Sequence, residues 1–210
     1  MKYNPDVHHR RSIRLKGYNY AQAGAYFVTI CTQGRECLFG EIKNGEMELN
    51  PAGRMVQAVW EELPEHYSGV EVDEFIVMPN HVHGIIIINE MVGAIHELPV
   101  QEHELPVQKP IQETAESIRK SRRQMVLPKI VGRFKMNSAK RVNEWRKMPG
   151  LPVWHRNYYE HIIRNDESLN KIREYIIQNP LRWEFDRENI GGKPDGVEQE
   201  FWKDFGQKRR

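Results

Sequence analysis

Apolar residues along the chain repeat with two different periods, and the alternation of those periods predicts a mixed α/β order. Residues 26–31, Tyr-Phe-Val-Thr-Ile-Cys, are β-branched and aromatic and predict a first strand. Residues 38–42 read as its antiparallel partner, followed by a turn at Lys43-Asn44-Gly45 and an extended piece to Leu49. Asn50-Pro51 predicts a helix start, with Asn at the cap and Pro in the first turn. Met55, Val56, Val59, Trp60 and Leu63 supply its apolar stripe, and Pro64 ends it. Residues 70–78 and 82–89 are apolar enough for central strands, joined through Met78-Pro79-Asn80. Residues 130–146 are helical and basic, with Val131, Phe134 and Val142 on the packing side. Residues 153–163 read as extended, and Asp166 caps a helix to about Asn179, which Pro180 stops. In that last helix Leu169, Ile172, Ile176 and Ile177 form the packing face, while Tyr175 and Asn179, one turn apart, share another.

The strand pattern gives meaning to His81-Val82-His83. On a strand, residues i and i+2 share a face, so two imidazoles project together while Val82 points to the opposite layer. Two neutral ring nitrogens suit one metal ion but do not close its site, so a third ligand must come from elsewhere. Tyr175 is a poor nucleophile at an ordinary phenol pKa of about 10 and needs a nearby cation or a polarised phosphate to react.

Composition adds boundaries. A chain of 210 residues that is 39% hydrophobic has enough apolar surface for one domain. The net charge of +2 conceals basic clusters at residues 8–16, 119–146 and 208–210 that could meet phosphates. No apolar run approaches the ~18 residues of a membrane span, and the polar N-terminus lacks a signal sequence, so a soluble cytoplasmic protein without membrane contact is expected. Cys31 and Cys37 form neither a zinc knuckle nor a disulfide framework and read as reduced thiols. The run His96-Glu-Leu-Pro-Val-Gln101 recurs as His103-Glu-Leu-Pro-Val-Gln108, a tandem duplication read as part of a flexible insertion over about residues 92–128. The predicted organisation is a basic arm at 1–19, one domain at 20–185 carrying that insertion, and a polar tail at 186–210.

Taken together, His81-Val82-His83 opening an apolar strand and the later helix Arg173-Glu-Tyr-Ile-Ile-Gln-Asn-Pro180 resemble the HUH single-tyrosine transposases, and within them the REP-associated tyrosine transposases. Tyr26-Phe-Val-Thr-Ile-Cys-Thr32, Val77-Met-Pro-Asn-His-Val-His83, Trp154 and Tyr159-Glu-His-Ile-Ile-Arg164 carry the same likeness, over roughly residues 15 to 185. The resemblance implies an α+β ferredoxin-like or RRM-like sandwich, with a mainly antiparallel sheet and helices packed on one face. It also implies Mg²⁺ or Mn²⁺ on His81 and His83 with Asn179 as third ligand, and Tyr175 as the nucleophile. That tyrosine would cleave and rejoin single-stranded DNA at hairpin-forming repeats through a 5′-phosphotyrosine intermediate, with the protein a monomer or homodimer. Arg14, Lys16, Arg133, Lys135, Lys140, Arg141 and Arg164 are the candidate DNA contacts. Two other classes fit fewer of these residues: a hairpin-binding protein without mobility, and a metal-dependent phosphodiesterase using water.

Overall fold

The computed structural model describes residues 23–89 and 126–205. Arg14, Lys16 and the duplicated HELPVQ segment lie outside the described residues. The first strand is β1 (Gly24–Cys31), followed by the hairpin β2 (Gly40–Lys43) and β3 (Glu46–Leu49), α1 (Pro51–Glu61) and a short helix α2 (Leu63–His66). Then come β4 (Val70–Val77), β5 (His81–Ile88), α3 (Val126–Trp145), β6 (Tyr159–Ile163), α4 (Asp166–Gln178) and α5 (Gly196–Phe205).

The main sheet is antiparallel in the order β4-β5-β1-β6. With α1 between β1 and β4, and α3 between β5 and β6, this is the βαββαβ ferredoxin-like arrangement the sequence predicts. The partner of β1 differs from expectation: β1 pairs with β5 and β6, while β2 pairs only with β3. The reason is burial. Tyr26, Phe27, Val28 and Ile30 are all inaccessible to solvent, so β1 is apolar toward both faces and takes a central place. By contrast, β2 and β3 alternate half-buried with exposed positions, as a hairpin with one face toward solvent does. Asn44 and Gly45 have φ of 54° and 81° and make the two-residue turn that such a hairpin needs.

Helices cover both faces of the sheet, adding a layer to the expected sandwich. On one side Val28, Ile30, Val82 and Ile86 pack against Val56 and Trp60 of α1 and Phe134 of α3. Gly84 is required there: a Cβ would lie 2.3 Å from the Trp60 ring, which stacks on Phe75 at 4.5 Å between centroids. On the other side Phe27, Ile85 and Ile163 pack against Ile172 and Ile176 of α4 and Trp202 and Phe205 of α5. The stretch 186–205 is therefore part of the fold, although its sparse apolar residues read as a polar tail. Likewise α3 starts at Val126, inside the predicted insertion limits.

α4 is capped by Asn165, whose side chain accepts from Ser168 N at 2.8 Å, one residue earlier than predicted. Ile177, predicted to pack, is 61% exposed, because the buried stripe is narrow and runs through Ile172 and Ile176. A second attachment holds this helix. The register of β4 on β5 shifts between Val72 and Phe75, and this bulge carries Asp73, which receives Arg173 of α4 through two hydrogen bonds of 2.8 and 2.6 Å.

Hydrogen bonds from Arg173 hold the Asp73 carboxyl below the usual carboxylate range. Its stabilisation is thus complete above the unfolded value of about 4 and is lost as pH falls through the lower folded value. Because the Arg173 side chain is 38% exposed, solvent screens the pair and Asp73→Asn is expected to cost only about 1 kcal/mol at neutral pH. Urea unfolding of the two proteins should show that difference at neutral pH, and the difference should shrink as pH falls below the unfolded value of about 4.

Candidate active site

The pleat of β5 sends Val82 into the α1/α3 layer and both His81 and His83 toward α4, with all three side chains fully buried. The rings lie 4.4 Å apart between centroids. Each imidazole is oriented from behind. The Asn80 amide nitrogen donates to the backbone carbonyls of Glu188 and Arg35, which leaves its Oδ1 as the acceptor facing His81 Nδ1 at 2.8 Å. His81 must then carry its proton on Nδ1, leaving the Nε2 lone pair bare. His83 Nδ1 lies 2.9 Å from the Thr29 hydroxyl on the neighbouring β1.

Both Nε2 atoms point to one spot. Asp186, in the turn after α4, brings Oδ2 to 3.6 Å from His81 Nε2 and 3.9 Å from His83 Nε2. Asn179, at the C-terminal end of α4, donates from Nδ2 to the same carboxylate oxygen at 2.7 Å, and the Glu188 N–H binds the other oxygen at 2.5 Å. His81 Nε2, His83 Nε2 and Asn179 Oδ1 are buried with no hydrogen-bond partner among the described residues. Leaving such groups unmatched costs about 1–3 kcal/mol each, and the convergence of the two bare Nε2 atoms beside a carboxylate fits a cation-binding set. Burial pushes the His81 pKa down to about 4, so the ring is a neutral donor at physiological pH. Burial also works against ionised Asp186, but His81, His83 and the Asn179 amide outweigh it and keep that carboxyl below its usual range. Ligand atoms of His81, His83 and Asp186 all lie within 4.8 Å of one another, a spacing one divalent ion could bridge.

Tyr175 sits one turn before Asn179, its ring centroid 5.3 Å from that of His83 and stacked on Phe201 at 3.7 Å. Its hydroxyl donates to Glu198 Oε1 at 3.2 Å and accepts from Trp202 Nε1 at 3.3 Å. Burial first, then Asp186 and Glu198, push its phenol pKa well above the ordinary value. The structure therefore brings together all four residues singled out by sequence, His81, His83, Tyr175 and Asn179, within one chain. It adds Asp186, which the sequence reading missed because it lies after a single 3₁₀ turn, Trp183–Phe185, where no periodic pattern marks it. The available signal was its position seven residues beyond Asn179, directly after the aromatic pair Trp183 and Phe185.

The cationic candidates divide. Lys135 Nζ donates to the carbonyls of His155 and Arg156, and Arg141 forms a bidentate pair with Glu62. Both are committed within the protein. Arg133 is half-buried, whereas Lys140 and Arg164 are exposed.

No protein-family model matches the chain. An uncharacterised protein of Haemophilus influenzae is 46% identical over 188 residues, covering 89% of this chain and 96% of that one. A second protein of Haemophilus influenzae, described as "Putative REP-associated tyrosine transposase", is 24% identical over 78% of this chain and 74% of its own. Among solved structures, a REP-associated tyrosine transposase bound to a REP hairpin aligns with 84% of this chain and 74% of its own, at 16% identity and a TM-score of 0.42. A transposase-like protein of Deinococcus radiodurans aligns with 78% and 96% at 16% identity and a TM-score of 0.39. Neither superposition is close enough to carry an argument, and the fold rests on the strand order and helix placement above.

A divalent ion that completes this donor set should stabilise the folded protein. Mn²⁺ at about a hundred times its dissociation constant is expected to add roughly 2.7 kcal/mol, or a few degrees in Tm. A thermal scan should show the rise in the native protein and its loss in His83→Ala and Asp186→Ala.

Proposed function

We propose that this chain, which belongs to one family with the 46%-identical uncharacterised protein of Haemophilus influenzae, is a tyrosine transposase of the REP-associated type. Its substrate is single-stranded DNA beside hairpin-forming repeats, cleaved and rejoined through a 5′-phosphotyrosine. One observation carries this reading: Tyr175 lies 5.3 Å from His83 between ring centroids, on the same helix whose end places Asn179 on Asp186. A nucleophile and a cation-binding set thus meet in one chain. The 24% identity to a REP-associated tyrosine transposase points the same way.

His81, His83 and Asp186, with Asn179 Oδ1, would hold Mg²⁺ or Mn²⁺. When bound, such an ion supplies Lewis-acid polarisation of a phosphodiester and charge stabilisation on the departing oxygen. The rest belongs to the side chains. Asn80 and Thr29 keep the two rings in the orientation that presents Nε2, so little reorganisation is needed when the donor set is engaged. Phe201 and Trp202 fix the Tyr175 ring, which restricts the orientations its oxygen can take in an attack. Attack by that oxygen breaks the bond to the 3′ oxygen of the preceding nucleotide, and the strand remains joined to the protein by its 5′ phosphate. A free 3′-hydroxyl from another strand reverses the step without consuming water, so bond energy is conserved for rejoining. Lys140 and Arg164 remain exposed for contact with the DNA backbone.

Incubation with Mn²⁺ and single-stranded oligonucleotides bearing the repeats that flank the coding region should give a covalent protein–DNA species on a denaturing gel. Tyr175→Phe should abolish it while retaining DNA affinity; an equal adduct yield in that variant would sink the assignment, and strand cleavage with no adduct would indicate hydrolysis by water. DNA affinity should fall with salt, and replacing Lys140 and Arg164 together by Ala should reduce the log–log slope by about 1.4, or roughly 0.7 for each lost contact.

A further inference from the structure

The acidic side chain beside the nucleophile comes from outside the element that carries it. Glu198 belongs to the first turn of α5, is only 3% exposed and reaches across to α4. Its Oε1 receives three hydrogen bonds: from the Tyr175 hydroxyl at 3.2 Å, from Trp202 Nε1 at 2.7 Å and from the Arg187 N–H at 3.1 Å. Trp202 also donates to the phenol oxygen, so carboxylate, indole and phenol form a closed triangle. Asp195 caps the helix by accepting from Glu198 N at 2.9 Å, which fixes the backbone from which the carboxylate projects.

A buried phenol cannot attack until its proton leaves, and the acceptor must lie within hydrogen-bond reach. Neither imidazole of the donor set qualifies while its Nε2 is committed to a cation. We propose that Glu198 is the general base for Tyr175, taking the phenol proton as the tyrosine attacks DNA and returning it when the strand is rejoined; this rests on the tyrosine-transposase reading. In the forward step the Tyr175 O–H bond breaks and its proton passes to Glu198 Oε1. The phenol oxygen forms its bond to phosphorus, and the P–O3′ bond breaks with its electron pair on the 3′ oxygen, which takes a proton from water. In rejoining, the incoming 3′-hydroxyl gives its proton to water and the Glu198 carboxyl protonates the departing tyrosine oxygen.

Surrounding charge suits the task. Burial above all, and then Asp186 from the preceding turn, raise the Glu198 pKa against the Arg187 N–H, Trp202 and His83 from β5, which favour the ionised form. A carboxyl moved toward neutrality is a better proton partner for a phenol than an ordinary one. The Arg187 guanidinium, lying 4.1 Å over the Trp202 ring, holds the indole in place from the outer side.

Glu198→Gln separates this role from a structural one, because the amide oxygen can still accept all three hydrogen bonds but cannot take a proton. Two readouts should move in opposite directions. Adduct formation should slow by about a hundredfold or more, with Glu198→Asp recovering part of the rate. Meanwhile the Tyr175 phenol of the metal-free variant should ionise at lower pH than in the native protein, since a negative neighbour has been removed. That ionisation is read as phenolate absorbance, with Tyr175→Phe subtracted. Unchanged DNA affinity and thermal stability in Glu198→Gln, alongside the slower rate, support the proposal. A rate equal to or above that of the native protein overturns it and leaves the functional reading standing, a faster rate meaning that α5 shields the tyrosine. Absence of any adduct in the native protein overturns both.

Discussion

The two-residue pleat of a strand buried on both faces is the constraint on which the rest depends. Because β5 is covered on each side, its alternate positions must satisfy two different environments: Val82, Gly84 and Ile86 toward α1 and α3, His81, His83 and Ile85 toward α4 and α5. A slip of one residue would drive the imidazoles into the aliphatic layer and set Gly84 away from Trp60. Register is therefore pinned by a glycine on one face and by two hydrogen-bonded histidines on the other. The histidines of the candidate cation-binding set are the same residues that lock the sheet.

The second histidine-bearing face is closed by elements that follow the βαββαβ core. α4 is bound to the sheet edge by Arg173 and Asp73, and through its apolar stripe to Phe27 and Ile85. Its end then turns sharply at Pro180, so that Asp186 returns beneath the histidines only seven residues after Asn179. The Asn80 amide, bonded at once to His81 and to the Glu188 carbonyl, ties this return segment to the β4–β5 turn. Arg35 and Arg187 meet the Glu188 carboxylate at 2.7 and 3.2 Å, balancing one of the acids brought in with it.

Periodic features were legible in the sequence and aperiodic ones were not. The order of strands and helices, the pairing of His81 with His83 and the one-turn spacing of Tyr175 and Asn179 all follow from repeats of two or about four residues, and Asn44-Gly45 is a turn signal of its own. The partner of β1 was misjudged because adjacency in sequence favours the next strand, whereas its two-sided burial required β5 and β6. Asp186 and Glu198 escaped notice for a different reason. Each depends on a turn whose direction is set by tertiary contacts, and α5 has too few apolar positions to announce itself: Phe201, Trp202 and Phe205 carry its packing. The commitments of Lys135 and Arg141 were equally invisible, since a basic residue on a helix looks the same whether it meets solvent, a carbonyl or a distant glutamate.

Electrostatics explains why these parts belong together. With His81 neutral and Glu188 balanced by arginines, Asp186 and Glu198 leave the site acidic around a phenol that is itself hard to ionise. A phosphodiester is an anion, so such a site repels DNA unless a cation sits among the bare Nε2 atoms and Asp186. The same acidity that makes the site demand a cation suppresses premature ionisation of Tyr175, because each carboxylate raises the cost of a phenolate nearby. A cation held by Asp186 and the two histidines would lower that cost and would also offset the repulsion of a phosphate. On the proposed function, admission of DNA and activation of Tyr175 would thereby be coupled to one charge.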